Sequence, residues 1–248
     1  MVRLFVLPLT MCLFLVGSHS WAQVTIDVES GLAFPGYNDV RIPNKMGTLF
    51  SFQEDFETEG PVIPLRIRLG YRFNDKNHLF ALYAPLGINY HGNAANDINF
   101  QSSVFSQGEA LDGYYQFNSY RLTYRRDIIS SGNWLVGVGF TAKIRDARVR
   151  LANDQGLRDK KDDLGFVPLL HLYTSYDFGG ETFLYFEGDG LAGGPGRAFD
   201  LFLGTRLPVT DRMDIKAGYR FLEGGANVDE VYNFTLVQFA VAGIYIQL

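Results

Sequence analysis

The feature that most constrains this chain is a series of short segments that alternate apolar and polar residues, with no helix-length apolar run between them. Past residue 23 no stretch is long and apolar enough for a membrane-spanning helix, which needs about 20 such residues. About ten segments alternate with period two, as half-buried strands do. They read as 24–33, 62–73, 78–88, 113–127, 133–148, 164–178, 181–191, 196–208, 213–224 and 232–248. The links between them also alternate. Links 74–77, 128–132, 179–180 and 209–212 are short, 34–61, 89–112 and 149–163 are long, and 225–231 is intermediate. Link 192–195 is the exception, short where a longer one is expected. Sorting loops by length onto two sides is the habit of outer-membrane barrels, with short periplasmic turns and longer extracellular loops. The expected fold class is therefore all-β: a closed antiparallel transmembrane β-barrel of about ten strands, with both ends of the barrel domain in the periplasm.

Strand chemistry agrees. In the second segment Leu65, Ile67, Leu69, Tyr71 and Phe73 share one face, and Arg66, Arg68, Gly70 and Arg72 the other. In the ninth, Ile215, Ala217, Tyr219 and Phe221 oppose Asp214, Lys216, Gly218 and Arg220. In the eighth, Phe199, Leu201 and Leu203 oppose Asp200, Gly204 and Arg206, with Phe202 a misfit on the polar side. In the fourth, Tyr120, Leu122 and Tyr124 oppose Arg121, Thr123 and Arg125. Trp134, Phe73, Tyr124 and Phe221 suit an interfacial aromatic girdle. A sheet edge cannot face hydrocarbon, because each unpaired backbone group costs several kcal/mol there, so the last strand should close on the first. The final segment carries Ala242, Ile244, Ile246 and Leu248 on one face. Leu248 stands where such strands usually end in Phe or Trp.

A barrel of about this size is filled by side chains rather than open. The expected lumen charge network is Arg66, Arg68, Arg72, Arg121, Arg125, Arg206, Lys216 and Arg220 against Asp200 and Asp214, with Glu187 and Asp189 as additions. Charges in a narrow lumen must pair, so the basic excess implies further acidic partners. A hairpin centred on Thr210 would set Arg206 opposite Asp214 and Asp200 opposite Arg220, two favourable cross-strand pairs. A two-residue turn at Gly179-Gly180 would instead put Leu172, Tyr176, Phe183, Tyr185, Glu187 and Asp189 on one face. That mixture conflicts with a lipid/lumen division unless a bulge or longer turn intervenes.

The N-terminus reads as an export signal. Arg3 precedes an apolar run over residues 4–16, and Ser20-Trp21-Ala22 offers small residues before Gln23. Residues 1–22 are thus expected to be a signal peptide and 23–248 the barrel domain of a Gram-negative cell-envelope protein. The only cysteine, Cys12, lies inside the signal, which removes disulfides, thiolate metal sites and cysteine nucleophiles from the mature chain. A net charge of −5 gives no broad basic surface for nucleic acid.

Candidate sites are few. Gly188-Asp189-Gly190-Leu191-Ala192-Gly193 matches a dinucleotide fingerprint, but a strand rather than a helix follows it, so a hairpin tip is expected. His78, His91 and His171 are isolated, and no metal site or cofactor is expected. His171 and Ser175 could share a face, but four residues span about 13 Å of strand, too far for a nucleophile–base bond. The Asp-His dyad motif of omptin-type proteases, the His-x-Ser pair of lipid A deacylases and the Ser/His/Asn arrangement of outer-membrane phospholipases are not visible. Loop 149–163, with Arg150, Asp154, Arg158, Lys160, Lys161, Asp162 and Asp163, reads as solvated, or as a contact for lipopolysaccharide phosphates. Loop 34–61 carries Tyr37, Phe50, Phe52 and Phe56, and should fold back over the barrel mouth as a cap or ligand surface.

The stretches Gly139–Ala147, Gly165–His171, Gly196–Ala198, Gly218–Ala226 and Glu230–Phe234 resemble a family of uncharacterised Gram-negative outer-membrane β-barrel proteins. The resemblance implies the barrel fold and the location, and no catalytic residues. Three functions stay open at this point. The first is a non-enzymatic barrel with a structural or binding role in the envelope. The second is an outer-membrane enzyme acting on lipid or peptide, for which an Asp or Ser bonded to His171 or His91 in a cleft at the extracellular rim would be the sign. The third is a narrow solute channel. Expected partners are outer-membrane lipid, lipopolysaccharide and, during insertion, the barrel-assembly machinery.

Overall fold

The computed structural model describes residues 23–179 and 182–248. The proposed signal peptide falls outside them. The strands are β1 (Gln23–Arg41), β2 (Phe50–Ser51), β3 (Phe56–Thr58), β4 (Arg66–Asn74), β5 (Asn77–Ala84), β6 (Gly87–Asn93), β7 (Ile98–Phe100) and β8 (Ser103–Phe105). They continue as β9 (Ala110–Ser131), β10 (Trp134–Asn153), β11 (Arg158–Asp177), β12 (Phe183–Gly193), β13 (Gly196–Thr210), β14 (Met213–Asn227) and β15 (Tyr232–Gln247).

The wall is a closed antiparallel ring. Consecutive strands pair from β9 through β15, β15 pairs with β1, β1 with β4, β4 with β5, and β5 with β9. β5 and β6 are one wall strand broken at Pro85-Leu86. Ala84 faces Ser119 and Gly87 faces Gln116, so both halves keep one register along β9. Proline supplies no N–H for the ladder, which accounts for the break. The ring therefore has ten strands, as the periodicity predicts, and where β15 closes on β1 no backbone edge is left to face hydrocarbon.

The outer face is apolar. Leu69, Leu122, Phe140, Leu172, Leu203, Tyr219 and Ile244 all point outward and are exposed, Phe140 by 68%. A contiguous apolar surface of this extent is unstable in water and is matched by lipid. Aromatics gather where the short turns are, with Trp134 and Tyr176 at 4.9 Å and Tyr71 and Phe73 at 4.9 Å between ring centres. These rings suit the interfacial girdle of a bilayer.

Link lengths sort as expected. The short-turn end holds the connections 75–76, 132–133, 178–182 and 211–212, together with Gln23 and Leu248. The long-loop end differs from expectation: the links 89–112 and 225–231 shrink to 94–109 and 228–231, and three further segments change. β1 runs on to Arg41, so the first long link spans only 42–65. Segment 149–163 is not a loop but the top of a β-hairpin, paired from Thr141↔Leu169 to Ala152↔Arg158. The glycine-rich stretch 188–193 is wall strand rather than hairpin tip, and the turn falls at Gly194-Pro195.

Two registers also needed the structure. Between β13 and β14 Arg206 faces Lys216, and Phe202 faces Arg220, so the expected pairing of Arg206 with Asp214 is displaced by two residues. A bulge near Pro208 and a turn on Asp211-Arg212 cause the shift. The face is unchanged by an even displacement. Arg220 still reaches Asp200 diagonally at 2.6 Å, and Arg206 lies 3.9 Å from Asp214. Between β11 and β12 the turn is longer than Gly179-Gly180, of which Gly180 lies outside the described residues. Tyr173 faces Glu187 and His171 faces Asp189, which turns all four inward and removes the expected conflict.

Candidate functional site

Three layers fill the barrel from the short-turn end upward. The lowest is a small vestibule of about 120 Å3, lined by Arg72, His78, Arg125, Arg206 and Tyr245 among others. His78 and Arg125 both contact Asp127, each at 2.9 Å, and Arg206 stacks 3.9 Å above the ring of Tyr245. Arg72 stands at this mouth, across from Gln23 and His78.

The middle layer is a belt of charge across the lumen. Asp200 accepts a hydrogen bond from Arg220 at 2.6 Å and forms ion pairs with Arg121 at 2.6 Å and Arg66 at 3.1 Å. Glu29 is shared by Arg220 at 2.8 Å, Arg66 at 3.4 Å and Lys216. Lys216 also reaches Asp27 at 2.7 Å. Asp189 takes Arg121 at 2.8 Å and His171 at 2.8 Å, and Glu187 takes Arg68. Five carboxylates thus meet Arg66, Arg68, Arg121, Lys216 and Arg220 in one connected set. Lys216 is wholly buried. Removing such charges from water costs several kcal/mol each, and only mutual pairing offsets it.

The acidic partners absent from the sequence-based list are Asp27 and Glu29 on β1, and His171 joins the same cluster. The signal was present: Val24, Ile26 and Val28 alternate with Thr25, Asp27 and Glu29. Phe202, the apparent misfit, also points inward. Its ring lies 4.7 Å from the Lys216 ammonium and 5.0 Å from the Arg220 guanidinium, and 5.2 Å from the Tyr185 ring. A Cβ at Gly204 or Gly218 would come within 2.4 or 2.6 Å of that ring, so the two glycines make its seat.

The third layer, toward the long loops, has two halves. One is an aromatic plug. Phe52 stacks on Tyr90 at 4.7 Å and meets Phe50 edge-on at 5.2 Å, while Phe100, Phe105, Leu111 and Leu151 close around them. β2 pairs with the top of β1 and β3 with β6, which draws the 42–65 connection into the mouth. Tyr37 does not join the plug. Its hydroxyl donates to Glu223 at 2.6 Å, beside Arg197.

The other half is open. A cavity of about 690 Å3 lies between β10, β11 and the tops of β12 to β15. Its size falls within the range of roughly 300–1,000 Å3 typical of small-molecule sites. Apolar walls come from Phe117, Val149, Val167, Leu222 and Val231. Lys143 faces this space from β10. It is 2% exposed, its ammonium sits 4.5 Å from the centre of the Phe117 ring, and among the described residues no carboxylate or hydrogen-bond acceptor pairs with it. Arg145 Nε and Thr235 Oγ1, in the same lining, are buried with no protein partner. An apolar chamber with one uncompensated cation and orphaned donors is suited to an anionic, partly apolar guest.

Around the rim, Lys161 pairs with Glu230 at 2.8 Å, and Asp162 with Lys160 at 2.6 Å and with Arg148. These pairs, with Arg145–Asp163, engage Lys160, Lys161, Asp162 and Asp163 of segment 149–163. His91 and Asp112 form an exposed pair at 2.7 Å on β6 and β9. Asp112, accepting from the imidazole, raises the His91 pKa above its ordinary 6.5. The raised value means the pair is fully charged below about 6.5 and weakens as pH rises through the folded pKa. In an NMR titration of His91, Asp112→Asn is expected to move the midpoint down toward about 6.5. No group of three or more metal-ligating side chains occurs among the described residues.

No family model and no curated protein sequence matches the chain. Solved structures do. The outer-membrane protease OmpT from Escherichia coli is similar over 91% of this chain and 97% of its own, at 10% identity and a TM-score of 0.53. The attachment invasion locus protein Ail of Yersinia pestis, solved with the heparin analogue sucrose octasulfate, covers 92% and 99% at 10% identity and a TM-score of 0.42. The translocator domain of the autotransporter NalP from Neisseria meningitidis covers 93% and 90% at 10% identity and a TM-score of 0.42. The likeness to OmpT establishes the fold, an outer-membrane-type β-barrel, and not an activity.

Proposed function

We propose that this protein is a closed, non-conducting barrel of the Gram-negative outer membrane that binds an anionic, partly apolar small molecule at its extracellular end. In this reading the short-turn end lies in the periplasm. Outer-membrane lipid and lipopolysaccharide surround the belt, and the barrel-assembly machinery inserts it. The paired lumen charges and the aromatic plug seal the interior. The observation that carries the binding role is the buried, unpaired Lys143 in the 690 Å3 cavity. An isolated buried ammonium is costly, and a bound anion relieves that cost.

Dansyl-undecanoate, a fluorescent carboxylate with an apolar chain, tests this directly. With the protein in nanodiscs, a saturable blue-shifted signal above that of empty nanodiscs is expected. Lys143→Met should weaken binding by roughly ten- to a hundredfold, the worth of one charged hydrogen bond in a dry site, and Lys143→Arg should restore most of it. Equal binding by wild type and Lys143→Met would remove the basis of the proposal.

A second reading, an envelope hydrolase, draws on the His91–Asp112 pair and on the fold shared with a protease. The pair sits exposed on its strands rather than in the cavity. Turnover of a lipid or peptide substrate that is lost in His91→Ala would favour that reading.

A further inference from the structure

The ring is continuous at the short-turn end but not at the top of one seam. β11 and β12 pair only from Asp177↔Phe183 to Leu170↔Gly190. Above that point residues 158–169 of β11 still pair with β10, and residues 191–193 of β12 still pair with β13. No described strand lies between them. The gap is bounded below by the Leu170↔Gly190 pair and above by the Lys161–Glu230 ion pair, which reaches from β11 to the β14–β15 connection. Residues from both sides, Phe166, Val167 and Pro168 on β11 and Leu191 on β12, line the 690 Å3 cavity. Leu191 has the inward parity of Asp189 and Glu187, yet is 42% exposed, because the wall it should face has parted.

The height of this gap matters. The outward residues beside it are Leu164, Phe166 and Leu170 on β11 and Ile144 on β10, all exposed and apolar, with Phe166 at 64%. The charged outer face begins at Asp146, level with Leu164, and continues above it with Arg148 and Asp162. The gap therefore opens at the top of the lipid-facing belt. An unpaired strand edge at membrane depth is tolerated only where it lines a cavity or is otherwise satisfied. Pro168, which lacks an N–H, stands two residues past the last β11–β12 pair, where continued pairing would place it opposite Ala192.

We infer that this gap is a lateral window through which an anionic amphiphile of the outer leaflet passes its chain into the cavity, with its head group held by Lys143. This deepens the binding role proposed above and rests on it. The apolar flanks match an acyl chain arriving from the bilayer. The buried Lys143 ammonium, with Arg145 beside it, matches a carboxylate or phosphate head. The guest is a membrane-resident lipid rather than a solute from the medium.

The test uses the full mature chain, which has no cysteine of its own once residues 1–22 are removed. Pro168→Cys with Ala192→Cys is reacted in nanodiscs with a short bifunctional maleimide, which bridges the window. The same variant capped with a monofunctional maleimide is the control. Two probes are compared: dansyl-stearate dissolved in the nanodisc bilayer, and water-soluble dansyl-glycine added outside. The expected result is that bridging lowers the loading of dansyl-stearate at least tenfold and leaves dansyl-glycine within twofold of the control. Unchanged loading of dansyl-stearate by bridged protein would overturn the window while leaving the cavity's binding role intact. Loss of both probes would show one shared entrance and overturn a route from the membrane. Failure of either probe to bind the capped control would instead count against the binding role itself.

Discussion

Asp200→Asn is expected to destabilise the folded barrel by about 3–5 kcal/mol, the usual cost of removing one partner from a buried charge set. Asp200 is 3% exposed and receives Arg66, Arg121 and Arg220 from three different strands. An amide can still accept hydrogen bonds, but it cannot balance three guanidinium charges whose remaining acceptors are already shared. Glu29 is in contact with two of those arginines and with Lys216, so it cannot compensate alone. The effect should appear as a lower temperature for loss of heat-modifiable gel migration. Asp162→Asn, which breaks a half-exposed pair on the long-loop hairpin, should cost only about 0–1 kcal/mol and serves as the control. Equal shifts in the two variants would show that the lumen charges are not a buried, mutually dependent set.

Phe52→Ala should be the second large loss, about 3–5 kcal/mol for a fully buried phenylalanine. Its effect should be local rather than spread over the wall. Phe52 is the pivot of the aromatic plug, stacked on Tyr90 and edge-on to Phe50. It also sits against β9 where there is no room for a side chain: a Cβ on Gly113 would lie 2.3 Å from the Phe52 ring. Without that ring the 42–65 connection loses its hold on the mouth. Limited proteolysis of intact nanodiscs should then cut within 42–65 in Phe52→Ala but not in wild type, while the transmembrane wall stays resistant. Protection of 42–65 in the variant would mean that the backbone pairing of β2 and β3 alone retains the connection.

The wall was legible in the sequence because a barrel imposes a two-residue period on every strand. Leu65 to Phe73 against Arg66 to Arg72, and Ile215 to Phe221 against Asp214 to Arg220, gave both faces without any coordinates. Strand ends at the long-loop side were less visible. There both faces leave the membrane, so polar residues such as Arg148, Arg150, Lys160 and Asp162 look like loop while the backbone continues as β10 and β11. Parity survived where register did not. The bulge near Pro208 moved β13 against β14 by two residues, and an even shift leaves Asp200 and Arg220 inside. Phe202 looks misplaced in the sequence because the cations that receive its ring, and one of the two glycines that seat it, come from the next strand. Lys143 was passed over because its neighbours Ala142 and Ile144 make an ordinary alternating strand. Its isolation becomes apparent only when β11 and β12 are seen to part. The β11–β12 pairing ends at Leu170↔Gly190, two residues before Pro168, which has no N–H to continue it.

Current recorded across a planar bilayer that holds the folded, heat-modifiable protein tests the sealed barrel most directly. The charge layer around Asp200 and Glu29, with the Phe50–Phe52 plug above it, predicts a silent membrane, with no stable steps above baseline. Reproducible stepwise openings of the wild-type protein would contradict the closed lumen and point to a solute channel instead.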